Sequence, residues 1–316
     1  MRRILLIVLL APLFALAQAY PNRPVRVVVT FPPGGTPDIY GRVMAAELQK
    51  MWGQPVVVEN RTGAGGTIGT DSVAKAAPDG YTLLFAADAT VTLAPAVIAK
   101  MPYDPLRDLT PIVNVTAGPF VLMANPAFPA NTMAEFIALA KKEPGKIPYA
   151  SSGAGGQQHL AMESVRTVAG IDVVHVPYKG FGQGVTDVLA NQVPLIFGGI
   201  TASISYTSSG KLKALGVTSP KRARALPNVP TIAETLPGFD ITAWYGFLGP
   251  AKLPAEIVRK INADSRAIIA RPDFQERLLK DGIEPVGNTP EQFAEEIKAD
   301  IARWAKSVKA AGVKPE

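Results

Sequence analysis

Cysteine is absent from the 316 residues, and histidine occurs only twice. Without cysteine the chain has no disulfide bond, no thiolate metal ligand and no cysteine nucleophile. Charged residues are also few, at 18% of the chain against 47% hydrophobic residues. This balance excludes an intrinsically disordered protein, and the length is enough for two domains of ordinary size.

Long hydrophobic runs are missing too, apart from one at the amino terminus. Two arginines precede the apolar residues 4–16, and the small-residue sequence Ala17-Gln18-Ala19 follows them. This order is typical of a signal peptide, and the run is short for a membrane span. We expect residues 1–19 to be a signal peptide cleaved after Ala19, which indicates a periplasmic protein. The alternative is an amino-terminal membrane anchor.

Charge of one sign is not concentrated in any segment. The formal net charge is +6, and it becomes +4 without the two arginines of the signal peptide, since 30 basic residues then remain against 26 acidic ones. We find no basic run with interleaved aromatic residues, so we expect no nucleic-acid partner. A weakly positive chain is compatible with a small anionic ligand.

The sequence does contain a regular alternation of short β-rich runs with helical periodicity, which predicts an α/β fold. The run Val25–Phe31 is nearly all apolar, as in a strand buried on both faces. Thr36 is a suitable N-cap for the helix that follows, and Pro37 suits its first position. This helix should bury the stripe formed by Ile39, Val43, Met44, Leu48 and Met51.

A unit of strand, glycine loop and helix occurs four times, with loops at Pro32–Thr36, Gly63–Thr67, Ser151–Gly156 and Lys179–Gly184. Glycine lets an anion approach the unpaired N–H groups at a helix start, which carry partial positive charge. We expect the first and third loops to lie in different lobes and to grip one carboxylate between them. The alternative is that these glycines only form tight turns.

The ionisable residues near these loops leave several roles open. Asp38, in the first turn of its helix, either stabilises the helix dipole or faces the ligand. His159 and His175 have no third metal ligand at helical spacing, so we expect neither a metal site nor a catalytic residue. Ser152 near His159 keeps a hydrolase as the less favoured alternative. Six aromatic residues are candidates for pocket walls: Phe31, Tyr178, Phe181, Trp244, Tyr245 and Phe247.

Two extended segments are expected to connect the lobes. Pro111–Asn125 is interpreted as two extended runs broken near Gly118, and Thr242–Leu248 as the return crossing. The expected lobes are residues 20–121 with 247–316, and residues 122–246.

Three helices in the second half of the chain have clear sequence signals. One is predicted over Gln157–Ala169, directly after the third glycine loop, and one over Pro272–Lys280, which begins at a proline. Thr289 and Gln292 form a capping box that opens the last helix, Pro290–Ala311.

Six motifs follow one another along the chain: FPPGGTPD (31–38), VENRTGAGG (58–66), PDGYTLL (78–84), YASSG (149–153), HVPYKG (175–180) and PNVPT (227–231). Together they resemble the motifs of the substrate-binding proteins of tripartite tricarboxylate transporters, the Bug family. The resemblance runs from about Tyr20 to the end of the chain.

This resemblance implies a two-lobed periplasmic binding protein (type II, Venus flytrap) with a hinge between two α/β domains. Such a protein holds a small carboxylate by backbone amides and hydroxyl groups of two glycine loops and delivers it to a membrane permease, without a cofactor. Carried onto this chain, the ligand-binding residues of the first lobe are Phe31, Gly34, Gly35, Thr36 and Asp38. Those of the second lobe are Ser151, Ser152, Gly155, Gly156, Gln157 and His159.

The chain departs from the family pattern at two places. Members often carry Ser or Thr near the position of Gly156 or Gln157, so an amide here replaces one hydroxyl contact. Ala87 and Asp88 lie in a segment that varies in the family and shapes the distal end of the ligand. Asp88 there would disfavour a second carboxylate and favour an amino or aromatic nitrogen donor. Tyr178 completes the expected site.

The resulting expectation is a monomeric, non-catalytic binding protein for a mono- or dicarboxylate. The runner-up is an accessory protein that reports the ligand to a membrane signalling system. The sequence leaves the identity of the carboxylate open.

Overall fold

The strands of the protein belong to one mixed sheet in the computed structural model, which describes residues 20–31 and 33–315. In chain order the strands are β1 (Val25–Val29), β2 (Val56–Asn60), β3 (Thr82–Ala87), β4 (Leu109–Ala124), β5 (Pro148–Ser151), β6 (Val174–Pro177), β7 (Leu195–Gly199), β8 (Lys213–Val217), β9 (Thr242–Pro250) and β10 (Glu284–Pro285). Their order across the sheet is β2-β1-β3-β9-β4-β7-β5-β6, and β8 and β10 also pair with β4. The predicted signal peptide lies outside the described residues.

Helices follow most of the strands. They are α1 (Thr36–Trp52), α2 (Thr67–Ala74), α3 (Ala94–Val97), α4 (Pro105–Asp108), α5 (Met133–Lys142), α6 (Gln157–Ala169), α7 (Phe181–Leu189), α8 (Ile200–Ser208), α9 (Ala255–Ile269), α10 (Pro272–Lys280) and α11 (Pro290–Ala310). A short π-helical turn, Ala89–Leu93, lies between β3 and α3. None of the described helices is both long and apolar enough to cross a membrane. The α/β prediction is confirmed.

Strand β4 joins the two halves of the sheet. Most of its length pairs antiparallel with β9, and its end pairs antiparallel with β7 and β8. The predicted break near Gly118 is wrong, because β4 is one strand and Gly118 pairs with Ala243 of β9. The ladder is irregular instead between Pro111 and Val113, where proline has no N–H to donate, and between Asn114 and Thr116.

Helix α1 differs from the prediction at its start and on its buried face. Its N-cap is Gly35, and Thr36 is the first helical residue rather than the cap. Ile39 and Met51 are 38% and 47% exposed, so neither belongs to the buried stripe. The first turn buries Asp38 in place of Ile39, which shifts the inward face by one residue. The buried hydrophobic side chains of α1 are Tyr40, Met44, Ala45 and Leu48.

The last helix packs on both halves of the sheet. Phe293 and Ile297 of α11 pack in one core cluster with Trp244 of β9. Farther along α11, Trp304 and Val308 belong to another cluster, which contains the buried hydrophobic side chains of α6. Helix α11 therefore contacts both halves, and the residue boundaries of the two predicted lobes stay a prediction.

Candidate functional site

A cavity of about 500 Å³ lies between the starts of α1 and α6. It is at the edge of the sheet where β1, β3 and β5 end, which is the usual ligand position in an open α/β sheet. The described lining residues are Phe31, Pro33, Gly35, Pro37, Ala87, Ala89, Leu93, Phe120, Ser152, Gly156, Gln157, Gln158 and Tyr245. None of these side chains is charged, and most are apolar. The cavity suits a small organic molecule held by a few polar groups.

The two helix starts at this cavity have the same backbone geometry. Gly35 and Gly156 are the N-caps, with φ and ψ of −78° and 163° in Gly35 and −73° and 164° in Gly156. No described side chain caps either helix. Each N-cap follows a glycine with positive φ, +88° at Gly34 and +71° at Gly155. The first N–H groups of both helices are therefore left for a partner at the cavity, except at Pro37 of α1, which has no N–H.

Both starts also use the same supporting hydrogen bond. The N–H of Gly34 donates to the side chain four residues later, Asp38 Oδ2, at 2.9 Å. The N–H of Gly155 likewise donates to the side chain four residues later, His159 Nδ1, at 3.0 Å. The acceptor is a carboxylate in α1 and an imidazole in α6, so the same geometry is held by different chemistry.

Asp38 is the centre of a polar network under the start of α1. It is only 4% exposed, and besides Gly34 it accepts from Arg42 Nε at 2.9 Å and Asn60 Nδ2 at 2.8 Å. Asn60 also donates to the carbonyl of Phe31 at 3.0 Å. Burial by itself raises the pKa of Asp38, but these hydrogen bonds outweigh it and hold the pKa below its ordinary value. Asp38 therefore stays ionised and holds the loop from behind.

The start of α6 is held by two stacked histidines. The rings of His159 and His175 lie 3.9 Å apart and nearly parallel, and His175 Nε2 is 2.6 Å from Ser151 Oγ. Burial lowers the pKa of His159, although the nearby Glu163 opposes the shift. Burial, and repulsion from His159 when that ring is protonated, lower the pKa of His175 to about 4. Both imidazoles are neutral near pH 7, which keeps His159 Nδ1 available as the acceptor of the Gly155 N–H.

Two further predicted residues contact the same loop. Ser152 donates its hydroxyl hydrogen to Gln158, so the serine–histidine pair that the hydrolase alternative requires is not formed by Ser152. Tyr178 supports the loop from outside the cavity, since its N–H donates to the carbonyl of Ser151 at 3.0 Å and its hydroxyl group donates to Asp187 at 2.7 Å.

A hydrogen bond between Asp88 and Gln157 links the end of β3 to the start of α6. Gln157 Nε2 donates to Oδ2 of the fully buried Asp88 at 2.6 Å. Burial and the charge of Asp300 raise the pKa of Asp88 to about 7, although Gln157 and Arg303 oppose the shift. Burial and the charge of Asp88 also raise the pKa of Tyr245, which therefore remains a phenol. The polar groups behind the cavity thus include an acid that titrates near neutral pH.

The structure divides the predicted site residues into three groups. Those that line the cavity are Phe31, Gly35, Ala87, Ser152, Gly156 and Gln157. Those that do not line it are Gly34, Asp38, Asp88, Ser151, Gly155, His159 and Tyr178. Thr36 lines a smaller neighbouring cavity of about 90 Å³ together with Tyr245. Within the described ranges, no group of three or more acids or histidines could hold a metal ion.

Some lining residues were missed or only partly anticipated from the sequence. Phe120 of β4 and Tyr245 of β9 line the cavity from the two crossing strands. Tyr245 was a candidate wall residue among six aromatics, whereas Phe120, Leu93 and Gln158 were not singled out. Phe120 carried a usable signal, because it follows Gly118 in a segment predicted to connect the lobes.

Comparison with known proteins gives one consistent family. The sequence model described as "Tripartite tricarboxylate transporter family receptor" matches residues 40–313. Protein BugT of Bordetella pertussis is 37% identical over 300 residues, which cover 94% of this chain and 92% of BugT.

Two solved structures are similar along nearly the whole chain. R. palustris Rpa4515 with adipate has a TM-score of 0.82 and 34% identity, over 94% of this chain and 100% of Rpa4515. MatC of Rhodopseudomonas palustris with bound malate has a TM-score of 0.76 and 33% identity, over 92% of this chain and 100% of MatC. The chain therefore belongs to the tripartite tricarboxylate transporter family of receptors, the Bug solute-binding proteins, and has their two-lobed α/β fold.

Proposed function

We propose that this protein binds a small carboxylate in the cavity between α1 and α6 and delivers it to a tripartite tricarboxylate-type membrane transporter. The observation that carries the proposal is the pair of matching helix starts, Gly34–Asp38 and Gly155–His159, at one cavity whose described lining has no charged side chain. Two sets of N–H groups neutralise a carboxylate there without an arginine.

The character of the cavity supports a carboxylate with an apolar body. Phe31, Leu93, Phe120 and Tyr245 supply apolar walls, while Ser152 adds a hydroxyl group beside the start of α6. Two solved relatives hold small dicarboxylates, adipate in Rpa4515 and malate in MatC. The ligand of this chain is thus a small organic acid of comparable size.

Lobe closure follows from the position of the ligand. A carboxylate that touches both helix starts contacts both lobes, so it binds the closed form more tightly than the open form and shifts the population towards closure. The crossing strands β4 and β9 are the hinge in this proposal, with residues 122–246 as the second lobe. The membrane permease then recognises the closed form.

The location follows from the same proposal. Removal of residues 1–19 after export releases a periplasmic monomer that carries its ligand to the permease. Binding requires no catalysis, because a carrier must release the carboxylate unchanged.

The test is a thermal-shift screen of small organic acids, followed by calorimetry with each acid that stabilises the protein. The double variant Gly34→Val with Ser152→Val changes both helix starts and should weaken binding by more than about a hundredfold. Gly53→Val is the matched control, since Gly53 also has a positive φ of +63° but lies at the far end of α1. The control should retain affinity.

The proposal is wrong if no organic acid binds, or if the double variant binds as tightly as the control. Single variants at each loop sharpen the result, because a clamp between two lobes loses affinity from either side. A loss at only one loop contradicts closure by a shared ligand.

A further inference from the structure

The hydrogen bond between Gln157 and Asp88 fixes one polar side chain of the cavity. Gln157 is the first residue of α6 and lines the cavity, whereas Asp88 is completely buried behind it. Gln157 Nε2 donates to Asp88 Oδ2 at 2.6 Å. No lysine, arginine or histidine in the described ranges forms an ion pair with Asp88, so the Gln157 amide is the side chain that donates a hydrogen bond to it, in addition to the backbone N–H of Ala89.

This bond decides which half of the Gln157 amide remains for a ligand. A primary amide has one NH₂ group and one carbonyl oxygen, and an ionised carboxylate only accepts hydrogen bonds. Asp88 therefore engages the NH₂ group and leaves Oε1 of Gln157 for the cavity. The neighbouring Gln158 has the opposite arrangement, because its Oε1 accepts from Ser152 and its NH₂ group is left over.

On the basis of the proposed function, we propose that Asp88 is a positioning residue that selects carboxylates bearing a hydrogen-bond donor. Gln157 Oε1 accepts a hydrogen bond from a hydroxyl or ammonium group on the ligand. A second carboxylate at that point meets an acceptor and the buried charge of Asp88, and it loses its hydration without a replacement. Dicarboxylates are therefore disfavoured relative to hydroxy and amino acids of the same length.

Titration of Asp88 gives this selection a pH dependence. The groups around the carboxyl are Gln157 of α6, Asp300 and Arg303 of α11, and Tyr245 of β9. Burial and Asp300 raise the pKa of Asp88 to about 7. A protonated Asp88 donates to Gln157 Oε1 and lets the amide turn its NH₂ group to the cavity. The preference for a donor is therefore strongest above pH 7 and weakens below it.

The experiment compares ligands that differ only at the distal end. Calorimetry at about pH 8 keeps Asp88 ionised. The probes are succinate, glutarate and adipate, each paired with the ω-hydroxy acid and the ω-amino acid of the same carbon number. The hydroxy acid of the length that fits should bind at least about tenfold more tightly than its dicarboxylate. The amino acids show whether the donor is neutral or charged.

Two variants test the role of the side chains. Asp88→Asn no longer dictates the orientation of the Gln157 amide, and Gln157→Met removes the acceptor. In each variant the preference for the hydroxy acid over the dicarboxylate should therefore fall from about tenfold to about threefold or less. Asp300→Asn is the matched control, because it removes a buried charge near Asp88 but has no contact with Gln157. The control should keep the wild-type ratio.

Each result has one meaning. The proposal is overturned if the wild type prefers the dicarboxylate at every length, or if both variants keep the wild-type ratio. If Asp88→Asn fails to fold, Gln157→Met alone decides. Binding of no carboxylate overturns the proposed function together with this inference, whereas tight binding with an unchanged ratio overturns the inference alone.

Discussion

The starts of α1 and α6 are alike in backbone and unlike in charge. Each has an extended N-cap glycine, a preceding glycine with positive φ and a hydrogen bond from that glycine to the side chain four residues later. In α1 the accepting side chain is Asp38, and in α6 it is His159. Two loops with the same backbone geometry are therefore stabilised by different acceptor side chains.

The difference affects how strongly each helix attracts an anion. Asp38 places a negative charge in the first turn of α1, where it competes with a ligand carboxylate for the helix dipole, although Arg42 partly neutralises it. The first turn of α6 has no acidic residue, and His159 is neutral. Judged by the side chains of the first turn alone, α6 opposes an anion less than α1 does, although the Asp88 carboxylate contacts Gln157 at the same helix start.

The largest expected effect comes from removing the charged acceptor. Asp38→Leu leaves Gly34, Arg42 and Asn60 without their shared partner and should lower the free energy of unfolding by about 3 kcal/mol. His159→Leu removes a single neutral acceptor and should cost about 1.5 kcal/mol. Urea unfolding measures both. Equal losses in Asp38→Leu and His159→Leu would contradict the contrast between the two loops. Arg42→Met is the control: the Arg42 side chain is half-exposed, so its loss should lower the free energy of unfolding by less than about 1 kcal/mol.

The two loops should lose their contributions to the free energy of unfolding in different pH ranges as the pH is lowered. The pKa of His175 falls from 6.5 to about 4 on folding, so the unfolded chain binds the proton first as the pH is lowered. The free energy of unfolding should therefore decline between pH 6.5 and 4 relative to His175→Gln, by about 2 kcal/mol once the full shift is reduced for the partial solvent exposure of His175. The pKa of Asp38 is lowered, so its contribution is complete above the ordinary carboxyl range and is lost only below it.

Urea unfolding across this pH range, with wild type and His175→Gln measured in parallel, checks the prediction. The other buried acids are common to both proteins and cancel in the difference. If the difference in free energy of unfolding between wild type and His175→Gln stayed constant between pH 6.5 and 4, His175 would not stabilise the second loop in the way described.

The positive-φ glycines should respond equally, because backbone strain does not depend on the acceptor. A methyl group finds no atom within 4 Å at Gly34 and only ordinary contacts of 3.8 and 3.9 Å at Gly155. Gly34→Ala and Gly155→Ala should each cost about 1.5 kcal/mol of unfolding free energy. The control Gly182→Ala, in open space near the start of α7, should stabilise the protein by about 0.5 kcal/mol. Unequal costs at the two loops would show that the loops are not equivalent.

The smallest effect tests charge alone. His159→Asp and His159→Asn both retain an acceptor for the N–H of Gly155, but only the aspartate adds a negative charge at the start of α6. The aspartate variant should bind a carboxylate about fivefold more weakly than the asparagine variant. Calorimetry with the tightest-binding acid from the screen measures this ratio, and identical affinities would show that the helix start does not carry the anion.

Local sequence signals predicted several elements well. The bounds of α6 (Gln157–Ala169) and α10 (Pro272–Lys280) agree with the prediction, and the capping box of Thr289 and Gln292 is confirmed. These signals succeed because glycine, proline and capping side chains act on the backbone within a few residues. Helix α8 (Ile200–Ser208) was missed, because it follows β7 directly and has no capping side chain.

Long-range features were predicted less well. Thr36 has a good N-cap side chain, yet Gly35 occupies that position, because the loop is held by Asp38 from behind. Gly118 does not break β4, since β9 pairs along the strand at that point. The second histidine of the chain, His175, supports the loop of Ser151 from a different strand. Contacts between residues distant in the chain override local preference in each case.

The sequence by itself determined the α/β architecture and the positions of the two glycine loops, because hydrophobic periodicity and glycine act locally. Only the tertiary structure decided that Gly35 and Gly156 line one cavity while Asp38 and His159 lie behind it. It also decided that Asp88 meets Gln157 across 69 residues of sequence. Such pairings arise from the way the sheet brings strand ends together, and no local pattern specifies them.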